Sequence, residues 1–381
     1  MTAPQAQVTE TKTPSSALLF FCGDVMLGRG IDQILAHPGD PRLHEPLVHS
    51  AIEYVELAEA ANGPIPRAVA PDYIWGDALA ELAQAKPHAR IINLETSVTT
   101  SAAYAPKGIN YKMNPANVAC LTTAGIDCCV LGNNHVLDFG RGGLAETLET
   151  LHGAGVKTAG AGRSAAEAQA PAIFNLTASG RLLVFAFGHS SSGIPRSWAA
   201  GPDTPGIDLL PDFSERTLTN IARRVSEARQ AGDLLVASLH WGGNWGYEIA
   251  DAECAFAHGL IDGAGFDLIH GHSSHHPKAI EVYHDRLILY GCGDFLNDYE
   301  GISGYEEFRG DLSLMYLPRL SATTGRLIEL CLVPFRVAQF RLHPASPADT
   351  IWLRRKLGTI SGPFGVRVEP DADGRLWAHW G

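Results

Sequence analysis

The stretch HGHSSHHPKAI, from His270 to Ile280, holds four of the chain's sixteen histidines within seven residues. Imidazoles this dense point to a bound metal or to proton transfer, because histidine is both the commonest metal ligand and the side chain that titrates near neutrality. The same chemistry recurs at the ends of short apolar runs. ALLFFCGD ends at Asp24, ARIINLE at Glu95, and DCCVLGNNH at Asn133, Asn134 and His135. DLLVASLHW carries His240, and DLIHGH ends at His272, with His275 three residues on. Carboxylate, amide oxygen and imidazole, with no cysteine among them, suit a divalent cation such as Mn, Zn, Fe, Mg or Ca, or general acid/base work. Alone, Asp24 reads as a cap or turn residue and His240 as a satisfied core histidine. Five apolar runs each ending in such a group read as one site.

The elements that must position these residues are short buried strands alternating with helical patterns. WGDALAELAQA, NPANVACLTTAG, GGLAETLETLHGAG and FSERTLTNIARRVSEARQAG have helical spacing. Strand, loop and helix in repetition predict a layered α/β fold with polar strand ends on one rim of a sheet. From Ile280 the pattern changes. AIEVYHDRLILYGCGDF reads as two strands joined at His284-Asp285, then DLSLMYLPRL, GRLIELCLVPFRV and QFRLHP as antiparallel strands, and 348–360 as a helix. The division expected is a tail over 1–16, one domain over 17–345, and a C-terminal helix and strands over 346–381 packed on that domain.

With 45% hydrophobic and 18% charged residues the composition is that of a globular protein. The formal charge is −12 with no Lys/Arg run, which argues against a nucleic-acid partner. Seven cysteines, odd in number and mostly inside apolar runs, read as free thiols of a reducing compartment. The polar start MTAPQAQVTETKTPSS lacks the pattern of a secretory signal, and no apolar run is long enough to span a bilayer. The expectation is a soluble, cytoplasmic protein without a membrane partner.

GDVMLGR, NLETSVT, NNHVLDFG, HWG, GHSSHHP and YGCGDFLNDY occur in order between Gly23 and Tyr299. This series resembles the signature of CapA-type proteins, a family named for poly-γ-glutamate capsule synthesis and similar in fold to calcineurin-like metallophosphatases. The resemblance implies a two-sheet β-sandwich flanked by helices with a metal at the strand ends. Carried over motif by motif, it implies that Asp24, Glu95, Asn134, His240, His272 and His275 face the metal. His135 is then the acid/base group, oriented by Asp138.

Met26 stands where metallophosphatases of the Asp-x-His type place a histidine, and NLE offers Glu95 where they offer aspartate. Both departures favour one ion, Ca, Mn or Zn, over two. The CapA-like group includes a metal-dependent epimerase of lasso-peptide precursors, which this chain resembles. That implies a peptide substrate epimerised at the Cα of a terminal, apolar or aromatic residue, with His135–Asp138 and His275–Asp294 as acid/base pairs. Hydrolysis of a phosphoester or of an amide such as a γ-glutamyl bond is the alternative, and a non-catalytic role in capsule assembly a further one. Trp241 and Trp245, near His240, read as a substrate wall or as core. Lys112, with Lys107, lies in a loop able to meet a carboxylate. His270 is expected in the core and His276, before Pro277, outward.

Overall fold

The computed structural model describes residues 16–176 and 180–381. The expected N-terminal tail lies outside the described residues, apart from Ser16, which opens the first strand.

Two sheets form the framework. The larger has ten strands. Its parallel half sets Ser16–Val25, Ala89–Leu94, Cys128–Val130 and Lys157–Ala159 side by side. On the other flank of Ser16–Val25 it continues antiparallel through Leu312–Ser321, Leu327–Ala338, Leu376–His379 and Arg367–Pro370. The second sheet has seven strands, and Gly180–His189, Leu234–His240, Leu268–His272 and Arg286–Leu289 run parallel within it. Ile280–Tyr283 pairs with Arg286–Leu289 as the hairpin the sequence predicts. It turns on His284 and Asp285, whose φ angles of 48° and 61° are the left-handed values that suit a two-residue turn.

The period of two along each strand sorts the side chains into layers. In SALLFFCGDV, Leu18, Phe20 and Cys22 enter the core beneath the helices, whereas Leu19 and Phe21 enter the core between the sheets. In Gly180–His189, Leu182, Val184 and Ala186 face inward, while Leu183, Phe185 and Phe187 pack outward with residues of the helices Glu215–Ala228 and Asp251–Ala264. Each such buried Leu or Phe is worth about 1.5–3 kcal/mol. Coverage of both faces explains why these strands read as unbroken apolar runs. The result is the expected two-sheet sandwich flanked by helices, with the C-terminal ends of the parallel strands along one rim.

The C-terminal helix is Pro347–Ser361, opened by a Ser346/Asp349 capping box, and it sends Leu353 and Leu357 into the core between the sheets. NPANVACLTTAG does not form one helix. It divides into a 3-10 turn, Pro115–Asn117, and a short helix, Ala119–Thr123, because Asn114 caps Ala116 N and starts a tight turn. All seven cysteines are free thiols, six of them buried.

Candidate metal centre

Adjacent strands place the central groups by register. Asp24 is paired with Asp294 on one side and with Asn93 on the other, and His240 is paired with His272. Gly23 makes the first pairing possible: a Cβ there would stand 1.6 Å from the Gly293 carbonyl oxygen. Beyond His272 the chain turns at Ser273, a buried non-glycine residue with φ of 103°. Such backbone strain persists only where the surrounding structure enforces it. The turn leads to His275, whose N–H donates to the Asn244 carbonyl at 3.0 Å.

Ligand-capable atoms of Asp24, His240 and His272 lie within 4.8 Å of one another, and so do those of Asp24, His275 and Asp294. Asp24 therefore belongs to both trios. Its Oδ1 accepts from Asn93 at 2.7 Å, while its Oδ2 is buried without a partner. Burial, then the nearby Asp294, pushes the Asp24 carboxyl up to about 7. Burial and Asp24 raise Glu95 well above the usual carboxylate range.

The tautomers follow from the partners. The Cys22 carbonyl can only accept, so His270 Nε2 donates to it at 2.8 Å. His270 Nδ1 then accepts from the Ser238 hydroxyl at 3.0 Å, and Ser238 Oγ accepts from His272 Nε2 at 2.8 Å. The free lone pair of His272 is left on Nδ1. His240 Nε2 faces two acceptors, Asn134 Oδ1 at 3.2 Å and Glu95 Oε1 at 3.8 Å, which places its hydrogen there and its lone pair on Nδ1. The two Nδ1 atoms stand 2.8 Å apart. Two facing lone pairs repel unless a cation lies near both, and the orphaned Asp24 Oδ2 offers the negative charge. The residues fit a divalent metal. Burial, followed by neighbouring imidazoles, lowers both His240 and His272 well below their ordinary range, in the neutral form that binds metal.

Two imidazole–carboxylate pairs border this centre. His135 Nδ1 lies 2.6 Å from Asp138 Oδ2, and its Nε2 stands 3.7 Å from Glu95 Oε1. Lys107 Nζ approaches Asp138 Oδ1 at 2.8 Å and His135 Nδ1 at 3.3 Å, and also donates to the Asn134 carbonyl. Asp138 is the nearer partner of Nδ1, so Nδ1 donates to it and Nε2 carries the lone pair. Burial takes His135 down to about 4 against the pull of Asp138, with Lys107 adding to the drop. His275 Nδ1 lies 2.9 Å from Asp294 Oδ1. Burial alone would lower His275, but Asp294 by charge and hydrogen bond, and then Asp24, lift it above its ordinary value. A tyrosine pair connects the two: Tyr111 meets His135 edge-on, Tyr299 meets His275 edge-on, and their hydroxyls are 3.0 Å apart.

The structure thus gathers Asp24, Glu95, Asn134, His135, Asp138, His240, His272, His275 and Asp294, and places Trp245 with its ring centroid 5.3 Å from that of His275. Three expectations need correction. Trp241 is 2% exposed in the core, donating from Nε1 to the Tyr290 carbonyl, and presents no surface to a substrate. Lys112 donates to the Ser101 carbonyl and lies over the Phe139 ring; Lys107 is the lysine at the centre. His276 does not point outward: it is fully buried, among the rings of Trp245, Tyr247 and Phe308. His270 is the expected core residue, with the added duty of orienting Ser238. Spacing gave no sign of Ser238, which sits inside an apolar run. Asp298 holds Arg29 in a buried, two-pronged ion pair and does not touch the histidines.

The family model described as bacterial capsule synthesis protein PGA_cap matches residues 18–299. A protein of Mycobacterium tuberculosis named as a probable polyglutamine synthesis accessory protein is 46% identical over 365 residues, covering 95% of this chain and 96% of the relative. The PGA biosynthesis protein CapA of Bacillus subtilis is 28% identical over 352 residues, covering 91% of this chain and 78% of the relative. A solved structure described as a novel phosphatase from Mycoplasma pneumoniae superimposes with a TM-score of 0.47 at 12% identity, covering 84% of this chain and 94% of that one. Among the described residues no helix is long and apolar enough to cross a membrane. The relatives' names carry the capsule part of the sequence reading and not its epimerase part.

Proposed function

The chain belongs to the bacterial capsule synthesis protein family PGA_cap, and from that premise we propose that it is a metal-dependent acid/base enzyme acting on a peptide or similar polyamide. The reaction that fits its centre best is inversion at a Cα beside a carbonyl group. One observation carries this reading: two imidazole–carboxylate pairs border one ligand cluster, and their environments push them in opposite directions. Burial favours the neutral form of His135, with a lone pair on Nε2, while Asp294 shifts His275 towards its protonated form against the effect of burial. Neighbouring groups driven apart in this way mark the base and the acid of a reaction. A divalent cation at Asp24, His240 and His272 would polarise the substrate carbonyl as a Lewis acid.

His135 Nε2 is the atom placed to take the Cα proton. Asp138 fixes the tautomer and stabilises the imidazolium that results. His275 is the source of the proton returned to the carbon, and Asp294 favours its protonated form. The tyrosine pair, Tyr111 buried and Tyr299 partly exposed, packs edge-on against the two histidine rings and helps to fix them.

Hydrolysis of an amide, γ-glutamyl or phosphoester bond is the second reading, and the sharing of Asp24 between two trios favours it, since a two-ion clamp uses such a bridging carboxylate. The deciding experiment incubates the purified protein with candidate peptides in D2O, with and without chelator, followed by mass and chiral analysis. Deuterium entering one Cα without cleavage, lost on chelation, is the expected result. A cleaved product establishes the hydrolytic reading instead. Neither exchange nor cleavage across the peptides of the same capsule pathway points to the accessory role that the relatives' names describe.

A further inference from the structure

Tyr299 stands with His275 in the wall of a cavity of about 730 Å³, a volume within the range of small-ligand sites. Its ring meets the His275 ring edge-on, with the centroids 5.3 Å apart. Two sets of contacts fix it there. Asn297 Oδ1 accepts from the Tyr299 backbone N–H at 3.1 Å, and the same amide donates from Nδ2 to Asp294 Oδ2 at 2.8 Å. Asp294 is the partner of His275 Nδ1, so one side chain sets both Tyr299 and the imidazole–carboxylate pair. Arg29, clamped by Asp298 and Glu45, lies 4.4 Å from the Tyr111 ring centroid and 5.9 Å from that of Tyr299. Tyr299 is nevertheless partly exposed, so a molecule in the cavity can touch it.

The Tyr299 hydroxyl donates to a poor acceptor. Tyr111 Oη donates to Tyr299 Oη at 3.0 Å, and Tyr299 Oη donates onward to Met26 Sδ at 3.7 Å. A thioether sulfur accepts only weakly. A phenol, with a pKa of about 10, keeps its proton at neutral pH, and its hydrogen bond to a charged oxygen is roughly twice as strong as one to a neutral oxygen. An oxygen that gains charge in the cavity therefore takes this proton's bond away from the sulfur. The bond received from Tyr111 polarises Tyr299 further towards donation. Position 26 decides the matter: an imidazole there would compete for the proton, whereas methionine leaves it available.

The two hydroxyls meet between the two imidazole–carboxylate pairs, because Tyr111 packs on His135 and Tyr299 on His275. We propose that Tyr299 is a further catalytic residue, whose hydroxyl donates a hydrogen bond to the substrate carbonyl oxygen as negative charge develops on it. The inference rests on the reading of this centre as one that acts on a carbonyl substrate. In inversion, His135 Nε2 takes the Cα proton, the C–H electron pair forms the Cα–C double bond, and the carbonyl π pair moves onto the oxygen. Tyr299 stabilises that enolate and keeps its own proton, and the oxygen returns its pair when the carbon is reprotonated. In amide hydrolysis, attack by water on the carbonyl carbon sends the same pair onto the same oxygen. The role is therefore common to both readings. A fixed donor aimed at such an oxygen is worth about 100- to 1000-fold in rate.

The test follows the purified full-length protein with the candidate peptides in D2O, reading both deuterium at Cα and cleavage. Tyr299→Phe removes the hydroxyl and keeps the ring against His275. It should lower kcat about 100- to 1000-fold, with KM, bound metal and Tm close to wild type. Met26→Leu removes the sulfur and should keep most of the turnover, whereas a hydroxyl that served only to bind Met26 would make the two variants fall alike. A ring-fluorinated tyrosine at position 299, close in shape and more acidic, guards against a phenylalanine variant that misfolds. It should bring the alkaline fall of kcat to lower pH, because an ionised phenol has no proton to donate. Unchanged kcat in Tyr299→Phe, an equal loss in Met26→Leu, an unmoved alkaline limb, or a wild type that neither exchanges nor cleaves overturns the inference. Cleavage in place of exchange, slowed by Tyr299→Phe, sinks the inversion reading alone; exchange untouched by Tyr299→Phe sinks the role of Tyr299 alone.

Discussion

Ser238 Oγ and His272 Nε2 stand 2.8 Å apart, and the carbonyl of Cys22, two hydrogen bonds away, decides which of them donates. Because that carbonyl can only accept, the order runs from His272 through Ser238 and His270 to Cys22, and His272 presents an unprotonated Nδ1 to the centre. Ser238→Ala removes the acceptor for His272 Nε2–H and frees the ring to take the other tautomer. Metal affinity should fall about 10- to 100-fold, the usual cost of losing a partner that orients a ligand. Titration calorimetry reads the affinity, and nitrogen chemical shifts of the histidine rings read the tautomer. An unchanged affinity with an unchanged tautomer would show that the relay does not set the ligand.

His135 and Lys107 give a second test. His135→Ala should abolish turnover and leave bound metal near the wild-type amount, because the ring borders the ligand trio without belonging to it. Lys107→Met removes the cation that shares Asp138 with His135. Its absence should leave Asp138 to His135 alone and make the imidazole harder to deprotonate. His135 should then give up its proton only at higher pH, seen as a rising limb displaced to higher pH in the pH profile of kcat. Loss of metal in His135→Ala would make His135 a ligand and remove its role as base.

Much of this arrangement was legible in the sequence for a definite reason. Strands covered on both faces become unbroken apolar runs, so a polar residue at the end of each, such as Asp24 or His240, stands out. The same period of two separates Trp241 from its neighbour: His240 faces the centre, so the next side chain points to the opposite face and into the core. The features that escaped are non-local. Ser238 and His270 are separated by 32 residues, and Lys107 and His135 by 28, and no spacing rule connects such pairs. His276 would be exposed on its own loop; it is covered by Phe308, contributed by a segment more than thirty residues on.

Metal content discriminates the two trios. The trio of Asp24, His240 and His272 has two neutral imidazoles with lone pairs already fixed, whereas His275 Nδ1 is engaged with Asp294, which favours its protonated form. One tightly held divalent ion per chain is therefore expected. His272→Ala and Asp24→Asn should lose it, and His275→Ala should keep it while losing turnover. Elemental analysis after dialysis reads the stoichiometry. Two ions per chain in the wild type, with one lost in His275→Ala, would place a second ion at Asp24, His275 and Asp294 and favour the hydrolytic reading.

Stability has its own pH signature, away from the centre, at Asp267. Its Oδ2 accepts from Leu235 N at 2.9 Å and its Oδ1 lies 3.4 Å from Arg286 Nε. Burial outweighs these partners and pushes its carboxyl from 3.8 up to about 6. Between those two values the folded chain binds more protons at this site than the unfolded chain, so the contribution of Asp267 to stability falls as pH rises through that window and stays lost above it. Asn at this position keeps an acceptor for Leu235 without a charge to bury, and the Arg286 pair, partly solvated, offsets little. Asp267→Asn should therefore raise stability by on the order of 2 kcal/mol at neutral pH, read as a Tm higher by a few degrees. The gain should shrink on acidification and vanish below about pH 4, where the wild-type carboxyl is protonated in both states. A gain independent of pH would mean that packing, and not the buried charge, governs this position.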